Sequence, residues 1–316
     1  MIVTFTANPS VDRTLEISKL VRGAVIRATR TRVDGGGKGV NVTRALAANG
    51  YEAIAVLPCG GAEGVQLMAL LEAERLLVRP VPIAGAIRAN VTIVEPGGAT
   101  TKINEPGPTL TDAEVEQLTD ALLQAARGAD WAVLSGSLPP GAPADWYATL
   151  TVALHEQGVR VAVDTDGAGL PATFGAAPDL VKPNQRELAQ ASGIPVDSRA
   201  DALAAVGRIR AAGARTVLAS LGADGALLIE DGGTYHGSAS VSARRSTVGA
   251  GDAMLAGFLA AGGSGVEALT EAVAWGTAAV SLPGSRMPGP TDLDRDAVKT
   301  TPLNTQEVAR EHAHHA

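Results

Sequence analysis

Apolar positions along this chain follow two spacings, and the switches between them predict its organisation. Residues 2–6 form a short apolar run broken by Asn8-Pro9-Ser10, the pattern of a buried strand. Val11 to Ile17 and Arg27 to Val33 alternate apolar and polar residues, as half-exposed strands do. A glycine-rich stretch, Asp34 to Val42, leads into a helical pattern over 43–49 that Gly50 stops. A strand is predicted at 53–57 and a helix at 63–75, after Gly60-Gly61. Between 78 and 104 helical spacing disappears. Segments 78–83, 90–95 and 100–104 predict short strands, the last two joined through Gly97-Gly98.

From residue 110 onward, strand and helix patterns alternate. Helices are predicted near 111–127, 143–157, 184–192, 199–212, 251–262 and 266–280. Strands are predicted at 131–135, 159–164, 179–182 and 215–219, with a hairpin at 225–229/234–236. Thr111 and Glu114 have the spacing of a capping box. This alternation predicts an α/β fold: a mainly parallel central sheet with helices on both faces. Residues 11–33 and 78–104 predict a small β-rich layer inserted into that body. Residues 1–290 are expected to form a single domain, and 291–316 a partly disordered tail.

Composition excludes several classes of function. Hydrophobic residues make up 46% and aromatic residues only 3%, so the core must be built from Ala, Val and Leu. A net charge of −7 argues against nucleic acid or an anionic membrane as partner. No apolar run approaches membrane-spanning length, and the start lacks the basic region of a signal peptide, so a cytoplasmic protein is expected. Cys59 is the single cysteine, which removes disulfide frameworks and thiolate clusters within one chain. Three of the five histidines (His312, His314 and His315) sit in the tail. His155 and His236 have no evident partner, so a histidine triad or zinc centre is not expected.

Candidate chemistry concentrates in two glycine-rich helix starts. Ser246 to Met254 contains Gly249-Ala250-Gly251 followed by Asp252, then an apolar run. Unpaired N–H groups and the positive dipole end at such a start attract anions, and a carboxylate beside them is suited to proton abstraction. Taken alone, this stretch is equally an aspartate-capped turn. The second start, Gly35 to Asn41, carries Lys38 and Asn41 and lacks the Gly-Lys-Ser/Thr ending of a Walker motif. Met254 departs from the dinucleotide fingerprint. Phosphoryl transfer needs a nucleophile activator, donors for the moving group and a metal. Asp252, the Gly249–Gly251 amides and the Asn184/Glu187 pair have the residue types to supply these, although that pair's spacing also suits an ordinary N-cap.

Six motifs, in order, resemble the ribokinase-like sugar kinases of the phosphofructokinase B branch. They are Thr6-Ala7-Asn8-Pro9-Ser10-Val11-Asp12, Gly35 to Val42, Ser135 to Gly141, Lys182 to Glu187, Ser220 to Ala226 and Ser246 to Asp252. Ala7 and the stretch 282–286 depart from the family pattern. The resemblance implies a three-layer α/β sandwich whose inserted β layer is a lid, often also the contact of a homodimer. It implies Asp252 as the base that deprotonates the attacking hydroxyl, with Gly249, Ala250 and Gly251 as the anion hole. ATP would be bound by Lys182, Ser220, Gly222 and Gly225 besides those three residues, with Asn184 and Glu187 organising Mg²⁺ indirectly. Asp12, Gly36, Gly37, Lys38, Asn41 and Ser137 would lie on the sugar side with Asp252. Arg88 would face a substrate phosphate, and Arg27 would reach it across a dimer. A phosphosugar is thus the expected acceptor: D-fructose 1-phosphate at its 6-hydroxyl, with fructose 6-phosphate and tagatose 6-phosphate as alternatives. A non-catalytic sugar-phosphate sensor on the same fold is the reading from another class.

Overall fold

The computed structural model describes residues 1–241 and 245–303. Its first third runs β1 (Ile2–Thr6), β2 (Ser10–Glu16), β3 (Arg30–Gly36), α1 (Lys38–Ala48), β4 (Ala53–Cys59), α2 (Gly61–Ala73), β5 (Leu77–Pro82), β6 (Arg88–Val94) and β7 (Thr100–Asn104). There follow α3 (Asp112–Ala125), β8 (Trp131–Ser135), α4 (Trp146–Glu156), β9 (Arg160–Asp164), a short α5 (Gly169–Ala172), β10 (Leu180–Val181), α6 (Gln185–Ser192) and α7 (Arg199–Ala211). The chain then forms β11 (Thr216–Ser220), β12 (Ala226–Glu230), β13 (Gly233–Ser238), α8 (Ala250–Ala260), α9 (Gly265–Val280) and β14 (Lys299–Pro302).

Among the described residues the large sheet has the order β14-β13-β12-β11-β10-β9-β8-β1-β4-β5. Pairings from β11 through β5 are parallel, while β11 to β14 pair antiparallel in sequence. Every residue of β1 and β8 is buried, because helices cover both faces of the sheet. Period-two alternation then divides the side chains between two cores. Val3 and Phe5 of β1 enter the core under α2, α3, α4, α6 and α7, where Leu71, Leu122, Leu150, Leu188 and Ile209 pack. Ile2 enters the other, where Leu46 of α1 meets Phe258 of α8 and Trp275 of α9. Phe5 also stands edge-on to Trp146, 5.3 Å between ring centroids. This is the three-layer α/β fold expected from the alternation.

A smaller sheet, ordered β3-β2-β6-β7, stands beside the large one. Its β2–β6 pairing is parallel and its outer pairings are antiparallel. Residues 78–83, expected in this layer, are not part of it. They form β5, which pairs parallel to β4 at the edge of the large sheet. The cause is the helix α2 between β4 and β5, which makes an ordinary β-α-β crossover. The tail is also more ordered than expected through residue 303: β14 pairs with β13, Tyr235 opposite Pro302 and Ser238 opposite Lys299. Residues 304–316, with His312, His314 and His315, lie outside the described residues. Among those described, no helix is long and apolar enough to cross a membrane.

Candidate active site

The parallel strands all end on one side, and ligands of such sheets sit there. Helix α1 begins earlier than its apolar pattern predicts, at Lys38, so Lys38 and Asn41 occupy its first turns. Gly37 precedes it at φ 130°, a conformation that β-carbons disfavour, with Thr6 packed against its α-carbon. Helix α8 begins at Ala250 after Gly249, whose φ of 77° is left-handed and whose open side is filled by Met287. The first-turn amides of α8 have no helical acceptor, and Asp252 stands among them. Helix α6 begins with Asn184 and Glu187 in a complete capping box: the Glu187 amide donates to Asn184 Oδ1 at 3.0 Å, and the Asn184 amide to Glu187 Oε2 at 2.9 Å. The cap and a role in the site are compatible, because Glu187 keeps its other oxygen for a different partner.

That partner is Lys38. Its ammonium lies 2.8 Å from Asp164 Oδ1 and 3.4 Å from Glu187 Oε1. Asp164, the last residue of β9, is completely buried, and its other oxygen is 3.1 Å from the ammonium of Lys182. Lys182 in turn lies against Gly251 at the head of α8. The sugar and nucleotide motifs are therefore joined through one buried carboxylate that motif reading missed. A lone aspartate ending a buried strand reads as the start of a turn. The signal available was its position at the carboxyl end of a parallel strand.

These neighbours set the protonation of the site. Burial pushes Asp164 up, but Lys182 and Lys38 outweigh it and hold the carboxyl below the usual range. Burial alone would lower Lys38, yet Asp164 and Glu187 keep its ammonium charged above the usual lysine value. Asp252 is pushed up to about 6, first by burial and then by the negative charge of Asp164. Asn41 opposes that rise by donating from Nδ2 to Asp252 Oδ2 at 2.7 Å.

The remaining candidates divide. Asp12, on β2, accepts from Ser10 at 2.7 Å and from Asn90 of β6 at 3.0 Å. It lies against Gly36, so both sit at the mouth of the small sheet. Arg88 of β6 donates to the carbonyls of Asn8 and Glu105 and feels the charge of Asp12; burial lowers its pKa. Arg27 is not brought to the site by this chain: it stands exposed on the connection between β2 and β3. Ser137 follows the end of β8, where Tyr147 and Thr165 hold the Gly136 carbonyl. Ser220 is bridged to Asn184, and Gly222 and Gly225 shape the turn after β11. His236 holds that turn through the Asp224 carbonyl at 2.6 Å. His155 is 2.8 Å from Asp179 at the opposite ends of the strands. Both histidines thus have partners, contrary to expectation, and neither joins a metal-ligating group.

Among the described residues no three His, Cys, Asp or Glu side chains converge as direct metal ligands. The oxygens of Asn184 and Glu187 already meet neighbouring amides and Lys38, so these residues fit Mg²⁺ only by way of water, and Mg²⁺ keeps most of its waters beside phosphate oxygens.

Known proteins resemble this chain over nearly its whole length. The profile of pfkB family carbohydrate kinases matches residues 6–292. The 1-phosphofructokinase of Rhodobacter capsulatus is 37% identical over 314 residues, covering 95% of this chain and 98% of that one. The 1-phosphofructokinase of Xanthomonas campestris is 38% identical over 264 residues, 82% of this chain and 83% of the relative. Phosphofructokinase-2 of Escherichia coli, solved in complex with substrates and products, superposes with a TM-score of 0.86 at 32% identity, over 99% of both chains.

The raised pKa of Asp252 has a measurable consequence for folding. A folded-state value of about 6 against a usual value near 3.8 means that its contribution is fully present below pH 4 and lost as pH rises through 6. Asp252→Asn removes that loss while its amide oxygen still accepts from Asn41. Urea unfolding is expected to find the variant more stable than wild type at pH 8, by at most about 3 kcal/mol. The difference should shrink towards pH 4. Equal stability at both pH values would show that the ionised carboxylate costs the fold nothing.

Proposed function

The chain belongs to the pfkB family of carbohydrate kinases, and from that premise we propose that it transfers the γ-phosphoryl group of ATP to the 6-hydroxyl of D-fructose 1-phosphate. The products are fructose 1,6-bisphosphate and ADP. The observation that carries this reading is Asp252: a buried carboxylate at a helix start, of raised pKa, with two ammonium groups nearby. Relatives named 1-phosphofructokinase across most of the chain support the choice of acceptor.

Asp252 takes the proton of the 6-hydroxyl as its oxygen attacks the γ-phosphorus, and the bond from phosphorus to the bridging oxygen of ADP breaks. The amides of Gly249, Ala250 and Gly251 at the head of α8 stabilise the moving charge without reorganising. Lys182, beside them, neutralises nucleotide phosphate, and Lys38 belongs to the same phosphate side through Asp164 and Glu187. The turn of Ser220, Gly222 and Gly225 borders the nucleotide. Mg²⁺, held through Asn184 and Glu187 by way of water, would supply positive charge to the phosphate oxygens. Asp12, Gly36, Gly37, Asn41 and Ser137 border the sugar, and Arg88 its phosphate. In this reading the small sheet is a lid that excludes water from the transfer. It also serves as the homodimer contact, through which Arg27 serves the partner's site. In support, Leu15, Val91, Ile93 and Ile103 share one face of the lid, and Ile103 is 57% exposed.

Two experiments test these assignments. Purified protein supplied with ATP and Mg²⁺ is expected to release ADP with fructose 1-phosphate at a higher kcat/KM than with fructose 6-phosphate or tagatose 6-phosphate. The similarity to phosphofructokinase-2 makes fructose 6-phosphate the informative rival. Asp252→Asn should lower kcat about 10²–10⁴-fold, the usual worth of a general base, and largely keep substrate binding. A sugar-phosphate sensor would release no ADP with any of the three. For the lid, sedimentation velocity at micromolar concentration should give a dimer that Ile103→Asp dissociates, whereas a monomeric wild type would sink the dimer.

A further inference from the structure

Asn41 contacts Asp252 through a group that has two nearly identical orientations. A carboxamide has the same shape whichever way it points, and only its partners decide whether oxygen or nitrogen faces a given neighbour. Asn41 is buried in the first turns of α1 with one neighbour on each side. Its Nδ2 donates to Asp252 Oδ2 at 2.7 Å, and its Oδ1 accepts from Arg44 Nη1 at 2.6 Å. Arg44 follows three positions later on the same helix face.

We propose that Arg44 is a positioning residue for the catalytic base: it fixes the polarity of the Asn41 amide so that Asn41 always presents a donor to Asp252. The proposal rests on the reading of Asp252 as that base. A guanidinium has donors only and does not lose its proton, so it cannot accommodate the reversed amide. Reversal would set donor against donor at Arg44 and oxygen against carboxylate at Asp252. Arg44 is itself held from two further directions. Its Nε and Nη2 bind the Glu74 carboxylate at the end of α2, and Nη2 also donates to the Gly35 carbonyl at 3.0 Å. Gly35 belongs to β3, so one side chain spans the root of the small sheet, α2 and the amide beside the base. Its side chain is only 12% exposed.

Other charges around Asp252 come from Asp164 at the end of β9, Lys38 on α1 and Lys182 after β10. From α9, Gly276 packs on α8 without a charge. Among these neighbours, Asn41 is the hydrogen-bond donor that favours the ionised form, and its orientation is what Arg44 controls. Without Arg44 the amide turns over in part of the population, and the carboxyl holds its proton to higher pH.

The test is the acid limb of the pH profile of kcat, with fructose 1-phosphate and ATP as substrates. Substrate phosphates titrate nearby in every variant, so the difference between variants is the readout. Arg44→Met is expected to move the limb up by about one pH unit, with roughly fivefold loss of kcat at pH 6 and less than threefold at pH 9. Arg44→Lys, still a pure donor, should bring the limb back towards wild type. Glu74→Gln leaves the Arg44–Asn41 bond in place and should leave the limb unmoved. If Arg44→Met does not fold, Arg44→Gln is read the same way and should shift the limb in the same direction by less. A loss of kcat that is uniform across pH, or a Glu74→Gln profile matching Arg44→Met, would overturn the proposal and make Arg44 a structural tie. A wild-type profile with no acid limb, or full kcat in Asp252→Asn, would instead remove the base reading.

Discussion

Asp164 is a single carboxylate buried between two lysines, and most of the site takes its geometry from it. Lys38 arrives from the start of α1 and Lys182 from the end of β10, so each oxygen of Asp164 meets a different ammonium. Glu187 shares Lys38, and the Asp252 carboxyl completes the group. Two ammoniums therefore face three buried carboxylates, with Lys38 still partly open to solvent. One negative charge is left over, and physics assigns it to the group with the weakest compensation. That group is Asp252, whose pKa is raised first by burial and then by the charge of Asp164, while the two lysines hold that of Asp164 down. A buried cluster of this kind adds little net stability by itself, because desolvation offsets the attraction. What it imposes is registration: five elements must arrive together for any of the charges to be tolerated.

The sheet makes such an arrival ordinary. Parallel strands end on one side, and the helices that follow them begin there, so exposed carbonyls, helix N-termini and strand-end side chains share one rim. Asp164 and Lys182 are strand-end residues, while Lys38, Glu187 and Asp252 lie in first turns. Such turns leave amide donors unpaired, which supplies the anion affinity that the lysines reinforce. Binding and chemistry thus draw on the same feature of the backbone.

The body of the fold was largely legible in the sequence because alternating periodicity survives without knowledge of neighbours. Strand membership did not. Leu77 to Pro82 alone looks the same whether it pairs within the small sheet or with β4, and the sign of its partner was the helix before it, which makes a β-α-β crossover. Lys-Thr-Thr-Pro at 299–302 is polar because it edges the sheet, and so reads as tail. The motifs located the site but not the direction of its long side chains. Lys38 opens α1, and four methylenes carry its ammonium to Asp164 and Glu187, which lie on other elements. Asp164 escaped notice because one of its partners, Lys38, is 126 positions away, and Arg44 because Glu74, which holds it, is 30 away.

The pairing of β14 with β13 separates two boundaries that are easily equated. The family profile matches as far as residue 292, but the large sheet continues until Pro302, and the Leu303 amide still donates to Thr234 at 2.8 Å. A chain cut at residue 292 would bare the backbone donors and acceptors of β13 along its outer side. Such a row is a template for pairing with other chains. The last strand therefore covers the outer side of β13 from beyond the span of the family profile.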